Sequence, residues 1–270
     1  MTFSLGPRAL SAGYRLVAFD SIGSTNAEAM SRAREGERGP LWFVTSEQTA
    51  GRGRRHRPWI APRGNLASSI LEVLDVTPSV AATLGFAAGL ALEKALRKLS
   101  IEASLRSAGS DDLNFSLKWP NDVLAGKQKL AGILLEAEAI AGGGLAVVVG
   151  IGTNVVAAPE ATPTPATSLA ALGIQVGAEE LFAALSDGWA EFRGIWNNGR
   201  GFGEIRKLWL ERAAGLGQAV SIKSGGATIE GTFDTLDEQG CMVVRTSAGA
   251  RVPITAGDVY FGAAASVGAS

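Results

Sequence analysis

Residues 115–151, FSLKWPNDVLAGKQKLAGILLEAEAIAGGGLAVVVGI, decide the fold. Phe115 to Trp119 is a short strand-forming run that Pro120 stops, since proline holds its predecessor extended and donates no backbone hydrogen bond. Asn121-Asp122 opens a turn, Val123-Leu124 resumes, and Ala125-Gly126-Lys127-Gln128 turns the chain again. Leu130 to Glu138, the triplet Gly142-Gly143-Gly144 and Leu145 to Ile151 extend the series. Runs joined by turns this short pair antiparallel, so the stretch predicts consecutive hairpins of a mainly antiparallel sheet.

Upstream, Leu16 to Phe19 reads as a strand leading into Ser24-Thr25-Asn26-Ala27-Glu28, where Thr25 and Glu28 have the spacing of a capping box with Thr25 as N-cap. A helix from near Asn26 to about Arg34 follows, ended by the breakers in residues 35–40. Trp42 to Thr45 and Leu66 to Leu74 are strands around the loop Gln48 to Asn65, which holds three glycines and five arginines. Ser79 is the expected N-cap of a helix over Val80 to Leu99, and Ser104 to Asn114 reads as a surface loop.

Downstream, Val156 to Thr167 is an Ala/Pro/Thr-rich loop, followed by helices around Ala178 to Gly194 and Phe202 to Ala214. After Gly215 the pattern changes to short strands separated by glycine turns: Ala219 to Lys223, Thr228 to Thr235, Cys241 to Thr246, Arg251 to Ile254 and Val259 to Phe261. That spacing predicts a small β-barrel. The expected organisation is an α+β domain over 1–214 with a mixed, mainly antiparallel sheet, and a small β-domain over 215–270.

Composition narrows the function classes. The 270 residues carry 25 Lys+Arg against 26 Asp+Glu, so no general basic surface for nucleic acid exists. The single Cys241 cannot form an internal disulfide, and the N-terminus lacks a secretory pattern, which together predict a cytoplasmic protein. Val76 to Leu92 is uncharged over 17 residues, but Pro78, Gly85 and Gly89 interrupt it, so a buried helix is expected and no membrane span. There is no GxxxxGK[ST] loop, and one His with one Cys makes neither a zinc site nor a Ser-His-Asp triad unless His56 alone serves.

What remains is Gly51-Arg52-Gly53-Arg54-Arg55-His56-Arg57-Pro58-Trp59, four guanidinium groups within six residues. Like charges this close repel unless an anion neutralises them, and guanidinium forks match phosphate or carboxylate. Alternate glycines let backbone approach a ligand, and Trp59 offers a flat face to a ring or base. A solvated basic loop is the plain alternative, and a phosphate- or nucleic-acid-binding module without turnover is the functional one.

With Ser24-Thr25-Asn26, Glu47-Gln48-Thr49-Ala50-Gly51-Arg52-Gly53-Arg54-Arg55, Lys118-Trp119-Pro120-Asn121-Asp122, Lys129-Leu130-Ala131-Gly132-Ile133-Leu134 and Gly150-Ile151-Gly152-Thr153-Asn154 in this order, the sequence resembles the biotin protein ligases. The resemblance implies a class II synthetase-like catalytic domain followed by an SH3-like barrel. It implies that biotin and ATP, with Mg2+, give biotinyl-5′-AMP, whose acyl group passes to a lysine of a biotin carboxyl carrier domain. Lys129 and Arg54 would be the catalytic cations. Ser24, Thr25, Asn26, Gln48, Gly51, Arg52, Gly53 and Gly132, with Arg54 and Lys129, would contact biotin. Arg54, Arg55, Arg57, Trp59, Lys118, Asn121, Asp122 and Asn154 would serve the adenylate, with Trp59 against the adenine and Asp122 assisting the metal.

Lipoate–protein ligase, of related fold, is the enzymatic rival; its dithiolane calls for apolar contacts where a ureido ring calls for hydroxyls and amides. Two departures stand out, His56 where the family most often has glycine, and a Ser104 to Asn114 loop longer than usual. Only 23 residues precede Ser24, too few for the family's DNA-binding winged helix, so no repressor function and no nucleic-acid partner is expected. A homodimer whose sheet continues across both chains is common in the family.

Overall fold

The computed structural model describes residues 2–107, 113–160, 164–224 and 227–261. In chain order it has α1 (Pro7–Ser11), β1 (Arg15–Phe19), α2 (Thr25–Arg34), β2 (Leu41–Thr45), β3 (Leu66–Leu74), α3 (Pro78–Ala82), α4 (Leu84–Ser107), β4 (Phe115–Lys118), β5 (Asp122–Ala125), β6 (Gln128–Ala139), β7 (Leu145–Thr153), α5 (Ala178–Trp196), α6 (Phe202–Leu210), β8 (Ala219–Ser224), β9 (Ala227–Leu236), β10 (Met242–Arg245), β11 (Arg251–Ile254) and β12 (Asp258–Phe261). The first sheet has the order β1-β2-β3-β7-β6-β5-β4. Its β1–β2 pair is parallel and its other pairs are antiparallel, as the hairpin reading requires.

Both faces of the sheet are covered, which is why β2 reads LWFVT without polar alternation and is buried throughout. Trp42 and Val44 join the large core under α4 and α5, while Leu41 and Phe43 join a smaller one under α2. Edge-to-face rings lock the larger core, with Trp42 5.4 Å from Phe182 and 6.0 Å from Trp189. The 18-residue window that makes 78–105 apolar enough to cross a membrane is 72% buried here, and α4 is the central core helix.

Three local expectations are corrected. The N-cap of α2 is Ser24, whose Oγ accepts from Ala27 N, because the Thr25 hydroxyl is taken up by Gln48 and Ser69; Glu28 pairs with Arg32 instead of closing a capping box. Thr77 caps α3 ahead of Pro78, and α3 and α4 part at Thr83, whose hydroxyl bonds Val80 O at 2.6 Å. Residues 104–107, read as loop, complete α4, and 108–112 of that segment lie outside the described residues.

The second sheet is antiparallel with order β11-β10-β9-β8-β12, and among the described residues no pairing closes it into the expected barrel. The segment leading into it and one of its turns are tied to the first sheet. Leu117 N donates to Arg212 O at 2.8 Å, Ala214 N donates to Leu117 O at 2.9 Å, and buried Trp119 donates from Nε1 to Gly240 O at 3.0 Å. Trp119 is therefore a joint between the sheets. Removing the core ring in Trp189→Ala should lower unfolding free energy by about 3–5 kcal/mol, measured by urea denaturation, since the partners collapse only partly into the space left.

Candidate active site

The cavity lies on the sheet face that α2 only partly covers. Along β7, Ala146 and Val148 pack under α2, and the next residues on that face are Gly150 and Gly152. Gly132 of β6 is paired directly with Gly152, so it shares the face. Three missing side chains open a cavity of about 400 Å³. The indole of Trp59 lies on this floor: a Cβ at Gly152 would come within 2.5 Å of its Nε1, and one at Gly132 within 3.2 Å of the ring.

One end is polar and built by the start of α2. Gln48 Oε1 accepts from Thr25 N at 2.8 Å and lies 3.1 Å from the Thr25 hydroxyl. The Asn26 amide donates to Leu134 O at 3.2 Å and to Glu136 Oε2 at 2.8 Å. Its carbonyl faces Ser69 Oγ at 2.6 Å, and Ser69 Oγ lies 2.7 Å from Thr25 Oγ1. Gly150 makes this possible, as a Cβ there would sit 2.1 Å from Asn26 Oδ1. Asn26 thus spends both amide protons on the protein, and with Ser24, Thr25 and Gln48 it lines the cavity.

The other end is cationic. Lys129 Nζ lies 2.6 Å from Asp122 Oδ1 and 5.5 Å from the centre of the Trp59 ring. Its backbone is gripped by the 164–167 segment, with Lys129 N donating to Pro165 O at 2.7 Å and Thr167 N donating to Lys129 O at 3.0 Å. Arg54 donates to Asn121 Oδ1 at 3.1 Å, and Asn121 in turn donates to Ile133 O at 2.8 Å. Burial, then the neighbouring Arg55, lowers the Arg54 pKa, yet a guanidinium stays charged throughout the working range. Burial also lowers the pKa of Lys118; Asp122 opposes that shift and Lys129 adds to it. Asn154 donates to Thr167 O at 3.0 Å, and among the described residues its buried Oδ1 has no hydrogen-bond partner.

The basic loop is folded back on itself over the cavity. Trp59 N donates to Gly51 O at 2.9 Å and Gly53 N to Arg57 O at 2.8 Å. Gly51 is required for this approach, since a Cβ there would lie 2.3 Å from Trp59 O. The left-handed backbone of the loop falls on Arg55, with φ 55°, so the strain associated with the His56 departure sits one residue earlier. Arg52 pairs with Glu136 at 3.1 Å, and Arg55 and Arg57 share Asp258 of β12 at 2.8 and 2.9 Å. Arg52, Gly53, Arg54 and Arg57 reach the cavity wall, whereas Gly51 and Arg55 lie behind it.

Asp122, expected to assist the metal, pairs with Lys129. Among the described residues no three His, Cys, Asp or Glu side chains gather closely enough to hold a metal. Sequence reading missed Ser69, Glu136, Asp258 and the 164–167 clamp. Alternate glycines inside a strand, Gly150 and Gly152, were a signal for the floor. Asp258 carried none, since its partners are about two hundred residues away in sequence.

An α+β fold with a polar pocket joined to a cationic one defines a protein built to hold an acid and a phosphate side by side. The Biotin/lipoate A/B protein ligase family matches residues 19–154, and the Biotin protein ligase C terminal domain matches 215–262. A biotin–[acetyl-CoA-carboxylase] ligase of Paracoccus denitrificans is 39% identical over 88% of this chain and 97% of its own. One of Mycobacterium tuberculosis is 35% identical over 88% and 85%. The solved biotin protein ligase from Aquifex aeolicus in complex with biotin and ATP shares the fold, with a TM-score of 0.72 at 24% identity over 92% of this chain and 98% of that one. The chain belongs to the biotin/lipoate protein ligase family, in its biotin protein ligase branch.

The loop's tie to the second sheet is open to a pH test. Burial works against the Asp258 charge, but Arg57, Arg55 and Arg54 together outweigh it and hold the carboxyl below its usual range. A depressed carboxylate keeps its pairs above the ordinary value of about 4 and surrenders them as pH falls through the lower folded value. Hydrogen-exchange protection of residues 51–59, corrected for intrinsic rates, should stay level at neutral pH and fall in acid below about 4. In Asp258→Asn it should be low at every pH.

Proposed function

We infer that this chain activates biotin with ATP to biotinyl-5′-AMP and transfers the biotinyl group to a lysine of a biotin carboxyl carrier domain. The observation that carries the reading is the single cavity joining hydroxyl and amide groups at one end to Lys129, Arg54 and Lys118 at the other, in a chain 39% identical to a biotin–[acetyl-CoA-carboxylase] ligase. A ureido ring offers one carbonyl and two N–H groups, matching the Ser24, Thr25 and Gln48 end. A dithiolane has nothing to bond there, which favours biotin over lipoate.

In the first step a carboxylate oxygen attacks the α-phosphorus and the bond to the β-phosphate breaks, releasing pyrophosphate. Two anions must meet while charge builds on phosphorus, so fixed cations in a dry site supply the stabilisation. Lys129 is placed between the ring pocket and the phosphate end, with Asp122 as the partner it exchanges for the reacting anions. Arg54, held by Asn121, faces the phosphate, and Arg52 and Arg57 close over the ligand. Asn154 Oδ1 is an acceptor awaiting a donor, and the adenine amino group supplies one. In the second step the neutral amine of the acceptor lysine attacks the acyl carbon and AMP leaves.

The described residues do not form a protein-only magnesium site, so a dication would be held mainly by the nucleotide's phosphates and water, with Asp122 the carboxylate nearest to assist. We divide the chain into a catalytic domain over 1–214 and a C-terminal domain over 215–270 that reaches the loop through Asp258. We place the enzyme in the cytoplasm with no nucleic-acid or membrane partner, a reading supported by its net charge of −1. The outer edge of β1 is where a second copy would continue the sheet in a homodimer.

Biotin- and ATP-dependent pyrophosphate release tests the assignment. Lys129→Ala should lower the rate about 10²–10³-fold, the usual cost of one preorganised charge donor. Lys127→Ala, which removes an exposed turn lysine two residues away, should leave it unchanged. Release with lipoate and not biotin would overturn the substrate.

The pH profile of pyrophosphate exchange tests Lys118. Its pKa is lowered below 10.5, so its charge is present at neutral pH and lost earlier than a free lysine's as pH rises. Activity limited by ATP binding should therefore fall on an alkaline limb below 10.5, and Lys118→Arg should move that limb upward.

A further inference from the structure

The 51–59 loop is strapped at two points by carboxylates from different sheets. On one side Arg55 and Arg57 share Asp258 of β12; on the other Arg52 Nη2 donates to Glu136 Oε2 of β6 at 3.1 Å. The two straps differ in what can displace them. Arg57 and Asp258 both line the cavity at its cationic end, where an incoming phosphate competes for the guanidinium. Glu136 stands behind the wall, beside the polar end.

The pleat places Glu136 there. Alternate residues of a strand share a face, so Gly132, Leu134 and Glu136 of β6 run in line from the cavity floor to its rim. Glu136 is half-buried, and its Oε2 also accepts from the Asn26 amide at 2.8 Å. An ionised carboxylate can only accept. It therefore draws the Asn26 amide nitrogen toward itself and leaves the carbonyl to Ser69 Oγ at 2.6 Å, the arrangement for which Gly150 makes room. One oxygen thus holds both the start of α2 and the first arginine of the loop. The bonds from Trp59 N to Gly51 O and from Gly53 N to Arg57 O make residues 51–59 one piece, so a hold on Arg52 is also a hold on Trp59 over the floor.

We propose that Glu136 is a positioning residue for ligand retention: through Arg52 it closes the loop over the ring end of the cavity, and it keeps that end closed after phosphate has drawn Arg57 from Asp258. The inference rests on the reading above that the Ser24–Asn26 end receives the biotin ring. That ring is neutral and the biotin carboxylate lies toward Lys129, so nothing in the ligand competes with Glu136 for Arg52. The strap therefore outlasts activation, and biotin and its adenylate escape slowly before an acceptor lysine arrives.

The test follows release of labelled biotin from the full chain, alone and after conversion to biotinyl-5′-AMP with ATP, during a chase with unlabelled biotin. Glu136→Gln keeps a carbonyl for the Asn26 amide and removes the charge that holds Arg52. It should speed both releases about two- to fivefold, the range of a partly exposed ion pair, and leave KM for ATP unchanged. Added salt should quicken release from wild type more than from Glu136→Gln. Glu136→Ala loses both contacts and should release about tenfold faster or more. The double variant of Glu136→Gln with Arg52→Gln should release no faster than Arg52→Gln alone, because the same contact is lost in both.

Unchanged release in Glu136→Gln, or additive effects in the double variant, would overturn the proposal. So would a KM for ATP raised in step with biotin release, which marks a general structural defect. Thr25→Val separates the two levels. If it leaves biotin release unchanged in an enzyme that still forms pyrophosphate, the ring is not at this end and the placement fails with the proposal. If it speeds release while Glu136→Gln does not, the placement stands and the proposal alone fails.

Discussion

The structure depends on a row of missing side chains. A sheet buried on both faces normally carries apolar residues on each, and β7 does so as far as Val149. Beyond that point the α2 face becomes Gly150 and Gly152, with Gly132 alongside. A cavity in a packed interior costs lost contacts, so it persists only where other elements span it. Here α2 stops short and presents its N-terminus, and the 51–59 loop lays Trp59 across the gap. The same omission that makes room for a ligand fixes Asn26 against the sheet and Trp59 over the floor, so floor, polar end and lid share one cause.

Charge is arranged around that space with equal economy. The wall carries five cations, Arg52, Arg54, Arg57, Lys118 and Lys129, against two carboxylates, Asp122 and Asp258. Each carboxylate sits on a basic group that an incoming phosphate would contact. Exposed pairs of the Arg57–Asp258 kind are worth roughly 0–1 kcal/mol, so exchanging such a carboxylate for a phosphate costs little. Lys118, which is buried, and Arg54, which is half-buried, differ in having their pKa values lowered. They hold charge against their surroundings before ligand arrives, and an anion relieves that directly.

How much of this could be read beforehand follows from range. Hairpins, breakers and the glycine-rich basic loop are local, and β3, β6, β7 and the five strands of the second sheet lie within a few residues of where periodicity and turns put them. The helix starts were misread for a physical reason. Thr25 and Ser79 are good caps by residue type, but the Thr25 hydroxyl was claimed by Ser69, forty-four positions away, and Thr77 with Pro78 made a stronger start than Ser79. In the site, motif residues were legible because they cluster in sequence. Ser69, Glu136 and Asp258 were not, since each acts through a partner in another element and none has an unusual neighbour of its own.

That distinction bears on what makes the pocket selective. Residues at a cavity wall announce the chemistry they can offer, yet a threonine hydroxyl can donate or accept, and its residue type does not say which. The choice is made by its neighbours, since the Thr25 hydroxyl donates to Gln48 Oε1 and accepts from Ser69, while Asn26 has spent its donors on Leu134 and Glu136. Glu136 is also the carboxylate that meets Arg52, so the hydrogen-bond chain that orients the ring pocket ends on the basic loop. Arg52 and the Asn26 amide meet on the same carboxylate oxygen, Glu136 Oε2. The polar end and the basic loop are thus joined by three consecutive polar contacts, Arg52 to Glu136 to Asn26 to Ser69, as well as by the cavity.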